Sequence, residues 1–311
     1  MNHPVSPAPG GARPGRTFSI LLIYLLGVFL GAALLAPWIW EATHFLFPGT
    51  AFLRHPFHRY VNRCLILMSL AGLWPLYRLG FFPDLNGAGW RWRPGLFREV
   101  GFGLVLGFVT LALVVFAAWG SGFRTWIPGR GFPLVLLHVA RAAGAALFVS
   151  LIEETLFRGA ILGALRRAVG FWIAALATSA LYALVHFFQR PAPPDSVDWS
   201  TGLQMLSRMS VGFLDIGALF PGFINLTLAG LILAAFRECT GALWTSIGLH
   251  AGWIFWLKSY AFFTKSTTAV PNAFWGTSNL IDGWIALPVL LLAGVGLRYC
   301  RGWSACTSKS D

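Results

Sequence analysis

Residues 151–160 read LIEETLFRGA and place Glu153, Glu154 and Arg158 inside an apolar run that otherwise looks like the middle of a membrane helix. An ionisable side chain at bilayer depth costs about 2.5–3.5 kcal/mol on insertion scales, so each one kept there has a partner or a purpose. At about 100° per residue, Glu154 and Arg158 lie about 40° apart on one helical face, the four-residue spacing at which a carboxylate and a guanidinium pair. Glu153 lies about 140° from Arg158 and faces another surface. One glutamate is therefore neutralised locally, and the other is offered to a neighbouring helix.

The rest of the chain agrees with a membrane setting. Of its 311 residues, 57% are hydrophobic and 11% charged, far from soluble averages, so an all-α polytopic membrane helix bundle is expected. Apolar stretches near the roughly 20 residues needed to span hydrocarbon fall at 18–40, 61–82, 100–119, 142–165, 170–188, 213–236, 241–263 and 283–297, which predicts about eight transmembrane helices. The Pro- and Gly-rich residues 1–16 read as a disordered cytoplasmic tail. N-terminal transmembrane helices are expected over 17–139, a transmembrane core over 140–260, and the last helix with a short tail over 261–311.

The first span is too long, and too well followed by others, for a cleaved signal peptide. Cys64, Cys239, Cys300 and Cys306 have no metal or redox spacing and read as small apolar fillers. The net charge of +12 is spread over the loops rather than gathered on one stripe, which speaks against a nucleic-acid partner. Its distribution slightly favours both termini in the cytoplasm. A bacterial plasma membrane is expected as the location, with membrane lipid as a partner.

Other polar residues within the spans include His186, Asp215, Asn225 and His250. A glutamate and two imidazoles suffice to deprotonate a water, or to hold a metal that does so, and to stabilise the oxyanion formed when water attacks an amide. Counting about 1.5 Å per residue from the expected inner helix ends puts Glu153 about 18 Å deep, His250 about 14 Å and His186 about 24 Å. These depths agree only loosely, and a tilted or kinked fifth helix would close the gap.

The motifs together resemble the CAAX protease and bacteriocin-processing (CPBP, or Abi) intramembrane proteases, which include the type II CAAX prenyl endopeptidases. Glu-Glu-x-x-x-Arg is complete as Glu153, Glu154 and Arg158, and Tyr182 to His186 resembles Phe-x-x-x-His. His-x-x-x-Asn/Asp is half present: His250 stands, but Ile254 occupies the last position. The resemblance covers roughly residues 140–260. It implies that 140–260 is the catalytic core of an eight-helix membrane bundle with an internal polar catalytic cavity, and hydrolysis there of a peptide bond in a membrane-associated protein or peptide, lipidated or small. Glu153 would activate water, His186 and His250 would position it or bind metal, and Glu154 and Arg158 would shape the site. Either a zinc ion on Glu153, His186 and His250 or a metal-free reaction satisfies this chemistry, and the absence of a zincin-type helical histidine pair favours the second slightly.

Ile254 cannot supply the donor that the family's Asn would give an oxyanion. Tyr182, Asn225 or Trp253 replaces it, or activity is weakened or lost; Tyr182 is the first candidate. The competing class is a non-proteolytic membrane protein, an ion- or proton-coupled transporter or a scaffold, using the same buried groups. The polar residues cluster between 153 and 250 instead of in two symmetric halves, which weighs against a transporter built from inverted repeats.

Overall fold

The computed structural model describes residues 14–50, 53, 55–81, 84–214, 216–267, 273–277 and 279–298. Along the chain run α1 (Pro14–Leu46), α2 (Phe57–Ala71), α3 (Leu73–Arg78), α4 (Leu96–Gly120), β1 (Arg124–Trp126), α5 (Phe132–Glu154), a π-helical turn (Thr155–Ile161), α6 (Leu162–Val169), α7 (Phe171–Val185), α8 (Thr201–Ser210), α9 (Ile216–Thr240), α10 (Trp244–Phe263), β2 (Thr264–Ser266) and α11 (Ala286–Val295). The expected helical class holds; the two short strands pair antiparallel as a ribbon. Asp215, Cys300 and Cys306 lie outside the described residues, as do positions 1–13 of the expected tail; α1 starts at Pro14, inside that tail.

Fewer long apolar helices than the eight spans expected are found among the described residues. Among the described residues four helices are long and apolar enough to cross a membrane: Pro14–Leu46, Leu96–Gly120, Phe132–Val169 and Phe220–Thr240. The expected second span is broken at Gly72 into α2 and α3. Pro75 has no N–H to return to the carbonyl one turn earlier, which ends the continuous ladder there. Gly72 is also pressed by α1, since a Cβ on it would stand 2.5 Å from the Tyr24 ring. α7 and α11 are apolar but short.

The chain divides into two compact units. The first comprises residues 1–82, 163–174 and 187–215. Its core joins Ala32 and Ala36 of α1, Phe57, Tyr60, Val61 and Cys64 of α2, and Met205 and Met209 of α8. Small residues set how closely these helices approach: a Cβ on Gly202 would overlap the Ala33 carbonyl oxygen.

The second unit comprises residues 83–162, 175–186 and 216–311 and holds every motif residue. Its centre is the crossing of α4 with α10. A Cβ on Gly103, Gly107 or Gly248 would lie 2.1–2.2 Å from a backbone carbonyl oxygen of the facing helix, and one on Gly252 2.5 Å from a backbone nitrogen. Two glycine pairs at four-residue spacing thus bring the backbones together, the small-xxx-small packing of membrane helices. Two indoles stitch the same seam, Trp253 Nε1 donating to Thr110 Oγ1 (3.0 Å) and Trp256 Nε1 to the Phe108 carbonyl (2.9 Å).

Both ends of this seam are tied off. Beyond the C-termini of α4 and α10, the ribbon is held by the Arg124 guanidinium, which donates to Thr264 Oγ1 and to its carbonyl and lies over the Tyr260 ring. At the other end the segment 84–95 folds back. Leu243 N donates to the Gly89 carbonyl, Trp244 Nε1 to that of Arg91, and Arg93 bridges Glu99 to the Thr240 carbonyl.

Candidate active site

Residue by residue, the site grows from the junction of α5 with its π-helical turn. α5 ends at Glu154, and the next seven residues adopt the wider π turn before α6 resumes. Such turns occur as single inserts in α-helices, frequently at functional sites. Nothing in the hydrophobic period announces this one. Gly159 within it accepts close backbone contact, the Ala88 carbonyl standing 2.9 Å from where a Cβ would be.

Glu154 and Arg158 pair as their spacing predicts. Arg158 Nη1 donates to Glu154 Oε1 at 2.9 Å, with the side chains 1% and 0% exposed. Arg158 Nη2 reaches the Gly230 carbonyl of α9 at 3.4 Å, and its guanidinium lies 4.5 Å above the Tyr182 ring. Glu154 does more than neutralise the arginine: the same Oε1 is 2.8 Å from His250 Nδ1. A carboxylate in an ion pair only accepts, so Nδ1 carries the proton and Nε2 points the opposite way across the ring.

His186 arrives by a different route. α7 stops at Val185, so His186 sits in the turn just after it rather than deep in a fifth span. Its Nδ1 donates to the Tyr182 carbonyl at 2.7 Å, which turns Nε2 away from its own helix end. The three depths counted along the sequence are corrected by this geometry. Glu153 Oε2 lies 3.8 Å from His186 Nε2 and 3.7 Å from His250 Nε2. That oxygen is shielded from solvent and has no hydrogen-bond partner among the described residues. Glu153 and His186 keep side-chain exposures of 24% and 33%, so this side of the cluster is the open one.

The candidates for the missing donor separate cleanly. Asn225 Nδ2 donates to the carbonyls of Ile281 and Gly283, and Trp253 is committed to Thr110; neither serves the cluster. Ile254 packs with Ala146, Ala251 and Val149 as an apolar contact between α5 and α10. Tyr182 alone reaches in, its hydroxyl 3.2 Å from His250 Nε2 and its ring edge-on to Phe157.

A metal on Glu153, His186 and His250 fits less well. Among the described residues no three His, Cys, Asp or Glu side chains are grouped to hold an ion, and His250 Nε2 faces the Tyr182 hydroxyl. The cluster presents one unengaged carboxylate oxygen opposite two imidazoles fixed through their Nδ1 atoms.

Sequence reading missed the glycine seam that carries His250, although Gly103/Gly107 and Gly248/Gly252 show its spacing plainly. It also missed the second bond of Glu154, which no spacing within one helix reveals.

Against known proteins, residues 135–256 match the family model described as Type II CAAX prenyl endopeptidase Rce1-like. No curated protein and no solved structure matches the chain. The matched segment holds Glu153, Glu154, Arg158, Tyr182, His186 and His250.

Proposed function

We propose, from the match of residues 135–256 to the type II CAAX prenyl endopeptidases, that this integral membrane protein is an intramembrane endopeptidase of CAAX type in which Glu153 activates the hydrolytic water. The observation that carries this reading is the position of Glu153 Oε2, without a partner and 3.7–3.8 Å from two imidazole nitrogens. Those gaps are too wide for direct hydrogen bonds. A water drawn between these atoms as substrate enters would donate one proton to the carboxylate and one to an imidazole.

In the reaction proposed, Glu153 takes a proton from that water as its oxygen bonds to the scissile carbonyl carbon, and the carbonyl π pair moves onto oxygen. Collapse of the tetrahedral intermediate re-forms the carbonyl and breaks the C–N bond. The leaving amine receives the proton from Glu153, which regenerates the carboxylate. Glu154 holds His250 in one tautomer, and Arg158 balances the buried charge. The substrate class is a membrane-associated peptide, lipidated or small; the family's name points to a prenylated CaaX terminus.

The test is cleavage of a farnesylated CaaX peptide by the purified full chain in phospholipid vesicles, read by mass spectrometry. New N-termini in membranes of a strain lacking the gene, before and after adding the protein, extend the search beyond that peptide. Wild type should cut and Glu153→Gln should not, with unchanged thermal unfolding. Full activity of Glu153→Gln would end this mechanism.

A further inference from the structure

The site has a shortage of donors. Four side-chain atoms converge there: Glu153 Oε2, His186 Nε2, His250 Nε2 and the Tyr182 hydroxyl. Each imidazole proton is fixed elsewhere, on His186 Nδ1 by the Tyr182 carbonyl at 2.7 Å and on His250 Nδ1 by Glu154 at 2.8 Å. With neutral rings both Nε2 atoms are therefore acceptors, and Glu153 accepts as well. Of the four, only the tyrosine O–H can donate. Amide hydrolysis places negative charge on the former carbonyl oxygen, and preorganised donors at that oxygen account for a large part of rate enhancement in such reactions.

We propose that the Tyr182 hydroxyl is the oxyanion donor of this site, an inference that rests on the protease reading above. The long 3.2 Å contact to His250 Nε2 is its resting partner, exchanged for the oxyanion by rotation about the phenolic C–O bond. The ring itself is held in place. Phe157 meets it edge-on at 5.2 Å, and the Arg158 guanidinium lies 4.5 Å from its centroid. A cation over the ring draws electron density from the phenol and strengthens its O–H as a donor. The phenol keeps its proton throughout: the C–O bond formed by water, the proton carried by Glu153 and the C–N bond broken are as described, and Tyr182 contributes one hydrogen bond that tightens as charge develops. This role explains how a site with Ile254 in place of a polar residue can retain activity.

The experiment compares wild type, Glu153→Gln and Tyr182→Phe as full chains in phosphatidylethanolamine–phosphatidylglycerol vesicles. The farnesylated CaaX peptide and a labelled membrane-protein extract serve as probes. Tyr182→Phe keeps the ring contacts and should lower kcat about 100- to 1000-fold, with KM and thermal unfolding unchanged; a packing residue would instead move the unfolding temperature. A second variant carries 4-aminophenylalanine at 182, which keeps the ring and returns an N–H donor in place of the O–H. Glu153, Glu154, Arg158, His186 and His250, the charged and titratable groups around the ring, remain the same. Because that variant restores a donor at the same place, it should recover a measurable part of the kcat lost in Tyr182→Phe. Glu153-dependent cleavage that is indifferent to Tyr182→Phe, or a 4-aminophenylalanine protein no faster than Tyr182→Phe, overturns the assignment and leaves the protease reading intact. If wild type cuts neither probe above Glu153→Gln, the protease reading falls and this inference falls with it.

Discussion

Removing the Arg158 guanidinium tests whether the buried Arg158–Glu154–His250 contacts hold the site together. Arg158→Ala leaves Glu154 with a side chain 0% exposed and its 2.9 Å counter-charge gone. Breaking a buried ion pair from one side costs about 3–5 kcal/mol, because the surviving charge is neither solvated nor compensated. Two local features move the figure within that range. The guanidinium also covers the Tyr182 ring at 4.5 Å, a cation–π contact worth about 0.5–2 kcal/mol, which raises the loss. Glu154 keeps its 2.8 Å bond to His250 Nδ1, which lowers it. The expected loss is about 4 kcal/mol, measured by equilibrium unfolding with sodium dodecyl sulfate in mixed micelles. The double variant Glu154→Gln/Arg158→Met removes both charges at little change in volume and should be more stable than Arg158→Ala. An Arg158→Ala protein within about 0.5 kcal/mol of wild type, the range of inconsequential surface changes, would refute the view of this pair as buried and mutually dependent.

The glycine seam gives a paired test. Gly107→Val forces side-chain atoms against the Leu249 carbonyl, 2.1 Å from the Cβ position, and should cost about 1–3 kcal/mol by overpacking while shifting the adjacent His250 and lowering cleavage. Gly101→Ala, where a Cβ meets nothing within 4 Å, should leave both unfolding in mixed micelles and cleavage as they are. In the loop before α8, hydrogen bonds from the Ser200 and then the Thr201 hydroxyl hold the Asp198 carboxyl below the usual carboxylate range. A depressed folded-state pKa adds stability above the unfolded value of about 3.9 and loses it as pH falls. The unfolding temperatures of wild type and Asp198→Ala should therefore differ at neutral pH and converge in acid; a difference that persists below the carboxylate range counts against that role.

How far the sequence foretold this site depends on the range of the interaction read. Contacts within one helix were legible: four residues separate Glu154 from Arg158, and they pair. The direction of Glu153, away from Arg158, was legible on the same grounds. Span boundaries were less so, because hydropathy reports composition and not where the backbone ladder is interrupted. Gly72 with Pro75 breaks one expected span, and α7 ends a residue before His186, so depths counted along ideal helices separated groups that the fold brings to 3.7–3.8 Å. The glycine spacing in α4 and α10 was visible, but which helices it joined was not, since a single chain does not declare its partners.

Glu154 shows what such a reading leaves out. Its pairing with Arg158 alone would make it a packing device, separable from the chemistry assigned to Glu153. One oxygen shared between Arg158 and His250 Nδ1 removes that separation: the ion pair that stabilises the junction of α5 and its π turn also fixes which nitrogen of His250 faces Glu153 and Tyr182. A fully buried charge is thus the one that sets the tautomer. Replacing both partners with apolar residues of similar volume could preserve the fold, since buried pairs are often no more stable than such substitutes. It would leave His250 free to place its proton on either nitrogen, and with the wrong tautomer a donor would point at the oxygen of Glu153 where an acceptor is required. Retention of a costly buried pair at this position follows from what the imidazole must present, rather than from stability.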